Sequence, residues 1–380
     1  MVEMKKYKLG DICKIVSGST PKTNVDEYWD GDIKWITPAE LNDDTYIITD
    51  SIRKITEIAV QKTGLTPLPE GTVILSSRAP IGKVAIAGCK MYCNQGFKNL
   101  VCSDKINNKY LYWFLKSKTS FLNSLGRGAT FKEISKSIVS EIEINVPDLA
   151  QQNEAVKTFE KVSRIIALRK QELSTLDSLT KARFVEMFGF CQHMVSMGAL
   201  CSIITDGTHQ PPKFQDNGIP FIFVSNLANN TVTYNTEKFI SQETYDELYK
   251  RTPIEIGDLL LSTVGSYGHP AVVIEDRKFL FQRHIAYLKP KHDIVNSFYL
   301  HSALLSPDAQ RQIEERVKGI AQKTLNLSEI RKILIPLPSI EEQNTFEEFV
   351  RQVDKSKAAV QKALDEAQLL FDSLMQQYFG

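Results

Sequence analysis

The chain has 380 residues, 42% hydrophobic and 24% charged, enough for two or three domains with cores of their own. Its net charge is only +1, with 27 Lys and Arg against 22 Asp and Glu in residues 1–190 and 19 against 23 in the remainder, which excludes a binder that works by bulk positive charge. The absence of a run of about eighteen apolar residues, and of a basic-then-apolar leader at Met1-Val2-Glu3-Met4-Lys5-Lys6, argues against a membrane span or a secretion signal. The six cysteines are scattered through the chain, which fits a reducing cytoplasm better than a disulfide framework.

The first 146 residues read as a β-rich unit. Leu9 to Ile15 leads to a polar turn at Ser17-Gly18-Ser19-Thr20-Pro21-Lys22, and Ile33-Lys34-Trp35-Ile36 alternates like a strand. Val73 to Ser76 and Lys83 to Ala87 flank the turn Ser77-Arg78-Ala79-Pro80-Ile81-Gly82, a hairpin pattern. A helix is expected from about Asn107 to Leu125, then a Gly126-Arg127-Gly128 turn and a closing strand, Ile142 to Val146.

Pro147 to Gly189 comes next. It opens on Pro147-Asp148-Leu149-Ala150-Gln151-Gln152-Asn153, continues for more than thirty residues without Pro or Gly, and closes on Phe188-Gly189. Apolar residues recur in steps of three and four (Phe159, Val162, Ile166, Leu173, Leu176, Met187), interrupted by Arg169, Thr180 and Arg183. This predicts a helix of about 37 residues, roughly 55 Å long at 1.5 Å per residue. No small domain needs that length for its own core. The reading is a spacer, with a pair of separate amphipathic helices as the alternative.

Residues 190–337 repeat the first plan with drifted sequence. Gly198 to Ile203 answers Gly10 to Ile15, Ile219 to Leu227 answers Ile33 to Leu41, and Ile256 to Ser262 answers Glu70 to Ser76. Gly268 answers Gly82, Lys318-Gly319 answers Arg127-Gly128, and Ile333 to Leu337 answers the closing strand. The polar turns differ: Thr208-His209-Gln210-Pro211-Pro212-Lys213 stands against Thr20-Pro21-Lys22, and Thr263-Val264-Gly265-Ser266-Tyr267 against Ser77-Arg78-Ala79-Pro80. Pro338 to Gly380 then repeats the helical stretch 191 residues on from Pro147, with Gln343-Asn344, a seam of Val350, Val353, Val360, Leu364, Ala367, Phe371 and Leu374, and a closing Phe379-Gly380. A repeat of this kind reports internal duplication. Chain order requires the two helices, if they pack, to be antiparallel, which predicts a circular arrangement with pseudo-two-fold symmetry.

Catalytic patterns are missing. The Pro-Pro in Gln210-Pro211-Pro212-Lys213 lacks the flanking Asp/Asn and Tyr/Phe of an amino-methyltransferase, and Ile81-Gly82-Lys83-Val84 is too short for a phosphate loop. Cys89 and Cys93 have metal-compatible spacing but no second pair at zinc-site distance. The expectation is a non-catalytic chain.

The phrases Gly31 to Pro38, Leu68 to Gly82 and Ile335 to Gln343 closely resemble the DNA specificity subunit of type I restriction-modification systems. The resemblance implies an α+β fold with two pseudo-repeated β-rich target recognition domains, 1–146 and 190–337, and two long antiparallel coiled-coil helices, 147–189 and 338–380. It implies that each domain reads half of a split, asymmetric site in double-stranded DNA, while the helices set the gap and dock two adenine-N6 methyltransferase subunits. S-adenosylmethionine, ATP and magnesium would sit on those and on separate motor-nuclease subunits, with no cofactor on this chain. Two departures stand out: the first helix opens with Pro147-Asp148-Leu149-Ala150-Gln151-Gln152, and the second domain has Ser262 to Gly268 where the family has a Ser-Arg-x-Pro-Ile-Gly turn.

For DNA contact the candidates are polar residues on the turns, since Arg and Lys suit guanine and Asn and Gln suit adenine. They are Thr20, Lys22, Ser77, Arg78, Lys83, Gln95, Lys98 and Arg127 in the first domain, and His209, Gln210, Lys213, Ser266, Tyr267, His269, Arg283 and Lys323 in the second. Each also fits a plain solvent-facing side chain, and for the lysines phosphate contact is favoured over base contact. The rival reading is a two-module protein-interaction scaffold without nucleic acid, to which the acidic second half lends itself; a self-contained restriction-methylation enzyme is disfavoured by the missing motifs.

Overall fold

The computed structural model describes residues 4–127, 132–319 and 322–380, and the chain divides into two units: 1–169 with 363–380, and 170–362. Gly128 of the expected glycine turn lies outside the described residues.

The first unit opens with β1 (Lys5–Lys8), the single-turn α1 (Leu9–Ile12) and β2 (Cys13–Ser17). β3 (Trp29–Ile36), β4 (Ile47–Ile48), β5 (Lys54–Ile55) and α2 (Glu57–Thr63) follow. Then come β6 (Val73–Leu75), β7 (Val84–Ala87), β8 (Tyr92–Cys93) and β9 (Lys98–Cys102). The helices α3 (Asn108–Ser117), α4 (Thr119–Leu125) and α5 (Lys136–Glu141) precede β10 (Glu143–Val146) and the 40-residue α6 (Leu149–Phe188). The strands make a five-stranded sheet ordered β2-β9-β6-β7-β4, a three-stranded sheet β5-β3-β8 and the pair β1-β10. The hairpin read from Val73 to Ala87 is present, with Leu75 opposite Val84. Gly82, at φ 89°, turns the chain where a side chain would be strained.

Side chains alternate across a strand, so Val73 and Leu75 face the helices while Ile74 faces Ile36, Leu68 and Phe97. Both faces are buried, which is why this strand reads as an unbroken apolar run. The expected helix from Asn107 to Leu125 is two helices, broken at Lys118, whose backbone leaves helical geometry at φ −98°, ψ 14°. No Gly or Pro marks that break. At the break the Lys118 ammonium donates to the carbonyl of Phe379.

The second unit runs β11 (Met194–Ser196), α7 (Met197–Leu200), β12 (Cys201–Asp206), β13 (Ile219–Ile222), β14 (Phe239–Ile240) and α8 (Gln242–Leu248). β15 (Leu259–Ser262), β16 (Pro270–Val272), β17 (Leu280–Phe281) and β18 (Ile285–Pro290) come next. The rest is α9 (Ser297–Leu304), α10 (Pro307–Arg316), α11 (Leu327–Ile330), β19 (Leu334–Pro336) and the 40-residue α12 (Ile340–Phe379). Its sheets are β12-β18-β15-β16, β14-β13-β17 and β11-β19. The order matches the first unit except that no counterpart of β4 flanks β16 among the described residues.

Each long helix starts in one unit and ends in the other, so each unit's core takes the head of one helix and the tail of the other. In the first unit Phe159 of α6 meets Phe371, Tyr378 and Phe379 of α12, and Phe379 rests on Tyr110 with ring centroids 5.1 Å apart. In the second, Phe184 and Phe188 of α6 meet Phe346 of α12, and Phe188 rests on Tyr299 at 5.0 Å. Asp177 pairs with Lys357 further along, so the helix ends run antiparallel in this unit. Of the expected seam, Phe159, Val162, Ile166, Val350, Val353 and Val360 are buried, while Leu173, Leu176, Met187, Leu364, Ala367, Phe371 and Leu374 are half-buried.

The Gln-Asn signature has a structural reason. Fully buried Gln152 accepts from Asn107 N at 2.8 Å and donates to the carbonyls of Pro147 and Lys105, while Asn107 caps α3. Gln343 does the same with Asn296 N, Pro338 and Ile294, and Asn296 caps α9. Each clip ties a long helix to the cap of the helix beneath it.

Candidate nucleic-acid interface

In the first unit, backbone bonds draw four segments of the chain to one place. Ser19 N donates to Cys93 O, Ser77 N to Gly96 O and Ile134 N to Ser77 O, so the turns at 17–20 and 77–82, the 93–97 loop and segment 133–134 are neighbours. The approach is close: a Cβ on Gly18 would lie 1.9 Å from Asn94 O.

Six of the eight candidates of this unit gather at that place: Thr20, Ser77, Arg78, Gln95, Lys98 and Arg127. Thr20 donates to Gln95. Ser77 is wholly buried, and Lys98, also buried, reaches its hydroxyl at 3.4 Å. Arg78 is exposed, and its Nε donates to Glu133 at 2.9 Å; the Lys98 ammonium bonds the other oxygen of the same carboxylate at 2.9 Å. Arg127 is exposed and exchanges backbone bonds with Glu133. Lys83 is not part of the group, since its ammonium turns to the Leu41 carbonyl. Lys22 is exposed on its own turn, its carbonyl accepting from Trp29 Nε1 at 3.2 Å.

Glu133 was not anticipated. It stands 55 residues from Arg78 with nothing local to mark it, so only the fold reveals the partnership. Burial opposes its charge, but the Lys98 and Arg78 bonds outweigh that and hold its carboxyl below the ordinary carboxylate range.

In the second unit the three backbone links recur as Thr208 N to Phe281 O, Thr263 N to His284 O and Leu325 N to Thr263 O, and Gly265 N adds a bond to Lys323 O. They gather His209, Gln210, Arg283, Ser266, Tyr267 and Lys323. His209 Nε2 lies 2.9 Å from Asp206, which also takes Arg251 at 2.7 Å. Lys323 bonds Glu314 at 2.8 Å, and Tyr267 donates to the same carboxylate, holding it below its ordinary range. Arg283 is exposed, with Nε 3.3 Å from His284 Nε2. His269 is set apart, its Nδ1 3.0 Å from Asn230 Oδ1. Lys213 is exposed on the 211–217 loop.

Equivalent positions follow from the matching bonds. Ile134 N to Ser77 O corresponds to Leu325 N to Thr263 O, and the exchange between Arg127 and Glu133 to that between Lys318 and Thr324. Arg78 thus corresponds to Val264 and Glu133 to Thr324, while the strand registers match Lys98 with Ala286. The Arg-Lys-Glu group of the first unit is replaced as a whole in the second.

Comparison with known proteins agrees with this doubled plan. The family model for the type I restriction modification DNA specificity domain matches residues 1–178 and again 194–368. The MjaIX type I restriction enzyme specificity subunit of Methanocaldococcus jannaschii is 29% identical over 363 residues, spanning 88% of this chain and 83% of its own. The EcoBI specificity subunit of Escherichia coli is 24% identical over 349 residues, spanning 81% and 73%. A solved chain from work on complex assembly and conformational transition of the type I R-M system shares the fold, with a TM-score of 0.63 at 19% identity over 100% of this chain and 98% of that one.

Proposed function

The chain belongs to the type I restriction-modification DNA specificity family, and from that premise we propose that residues 1–146 and 190–337 are target recognition domains, each reading one half of a split, asymmetric site in double-stranded DNA through the major groove. The chain is the non-catalytic specificity subunit. Helices 147–189 and 338–380 set the gap between the half-sites and dock two adenine-N6 methyltransferase subunits, which carry S-adenosylmethionine. ATP-driven motor-nuclease subunits join the same assembly for cleavage, in the cytoplasm of the host.

One observation supports this above the others: two matching frames carry unlike polar groups at equivalent places, Arg78, Lys98 and Glu133 in one and Val264, Ala286 and Thr324 in the other. A scaffold for a symmetric protein partner has no use for that contrast; two readers of different bases do.

The test is to map N6-methyladenine across a genome in which the chain is co-expressed with its methyltransferase subunits. The expected result is one motif made of two specified blocks and an unspecified gap of constant length. Arg78→Ala should weaken the first block and leave the second intact. No motif, together with equal binding of the assembled complex to random DNA, would overturn the reading in favour of a protein scaffold.

A further inference from the structure

Among the described residues, Arg78 is held by one edge. Its Nε is committed to Glu133, and its terminal nitrogens Nη1 and Nη2 have no hydrogen bond among the described residues. The side chain is 45% exposed. A guanidinium is planar and rigid, so fixing one N–H fixes the plane and direction of the other donors. Glu133 is itself secured from below by Lys98, whose side chain is only 8% exposed and which also touches Ser77. The stack runs from buried lysine through carboxylate to exposed arginine.

Resting on the DNA reading above, we propose that Glu133 is a specificity-determining positioning residue of the first domain: it orients Arg78 so that Nη1 and Nη2 present a fixed donor pair to O6 and N7 of one guanine. Two points carry this. A major-groove guanine offers two acceptors side by side, which the free edge of a guanidinium matches. A generic phosphate contact would serve either half-site, yet the second unit lacks the arginine and the carboxylate together, having Val264 and Thr324 there. Glu133 also cancels one of two neighbouring positive charges, which weakens sequence-blind attraction to phosphates.

The experiment uses the full chain assembled with its methyltransferase subunits. Binding is measured against duplexes in which each position of the first half-site is varied in turn, for the natural chain, Glu133→Gln, Arg78→Ala and the double variant. For the natural chain, one G·C pair should be preferred by roughly tenfold to a hundredfold, and replacing its guanine by 7-deazaguanine should remove much of that preference. Glu133→Gln should erase most of the preference at that pair alone, raise affinity for random DNA and steepen its salt dependence by about one unit. The double variant should lose no more at that pair than Arg78→Ala does, because the two residues act as one unit.

Unchanged discrimination in Glu133→Gln would overturn the proposal. So would an equal loss at every position with a lowered melting temperature, which marks a merely structural carboxylate. Should the natural complex discriminate nowhere in the first half-site, the DNA reading itself fails and takes the proposal with it, an outcome visible before any variant is made.

Discussion

His301 shows how much one side chain can tie together. Its Nε2 lies 3.0 Å from the carbonyl of Asn230, and Asn230 in turn meets His269, a candidate of the second unit. Burial lowers the His301 pKa, against the opposing pull of the Asn230 carbonyl and Asp354; Lys357 works with burial. A histidine whose folded pKa lies below its unfolded one contributes stability above the unfolded value, near 6.5, that is lost as pH falls through the folded value. The melting temperature of the second unit should therefore drop as pH falls below about 6.5, and His301→Gln should flatten that slope. At this scale legibility was uneven. Arg78 and Lys98 were named as DNA-contact candidates from the family resemblance and the base preferences of their side chains, and the fold brings them to one carboxylate. Glu133 and Asp206 were not read, because an acid that neutralises a distant cation carries no local pattern; its meaning lies in who arrives beside it.

Elements were legible where the periodicity was long. Two 40-residue helices were announced by their uninterrupted runs and by the 191-residue repeat, and they start two residues after the opening prolines and end one before the closing glycines. Two-residue strands such as β4, β5 and β14 were invisible, since a pair of residues has no period. The Gln-Asn signature was seen as a mark of duplication, and the structure adds its purpose. Replacing Gln152 with Leu would leave the N–H of Asn107 and the carbonyls of Pro147 and Lys105 without their partner. Unpaired buried backbone groups cost about 1–3 kcal/mol each, partly relieved by relaxation, so Gln152→Leu should destabilise the first unit by roughly 3 kcal/mol in denaturant unfolding. Gln343→Leu should do the same to the second, and the two should add because they share no partner. Exposed Glu154→Ala, two residues further along the same helix, should change stability by less than about 0.5 kcal/mol.

For the whole molecule, the exchange of helix ends sets what can fold when. The first unit's core holds Tyr110, Phe114 and Phe159, from the first 160 residues, and closes only when Phe379 packs between them. The second unit is complete within 170–362. The unit that begins first in sequence therefore waits for residues 363–380, and its closing contacts span a long loop. Truncating a phenylalanine buried in such a core to alanine costs about 3–5 kcal/mol, a large share of what holds a domain of this size together. Truncation after Lys362 should thus open the first unit, raising amide exchange across α3 and β10, while α9 and β19 keep their protection. The single change Phe379→Ala should produce the same pattern more mildly, and Phe188→Ala its mirror image, with α9 exposed and α3 protected. Equal loss of protection in both units from either substitution would mean that they unfold as one body, and the domain-by-domain account of the fold would give way to a single cooperative unit.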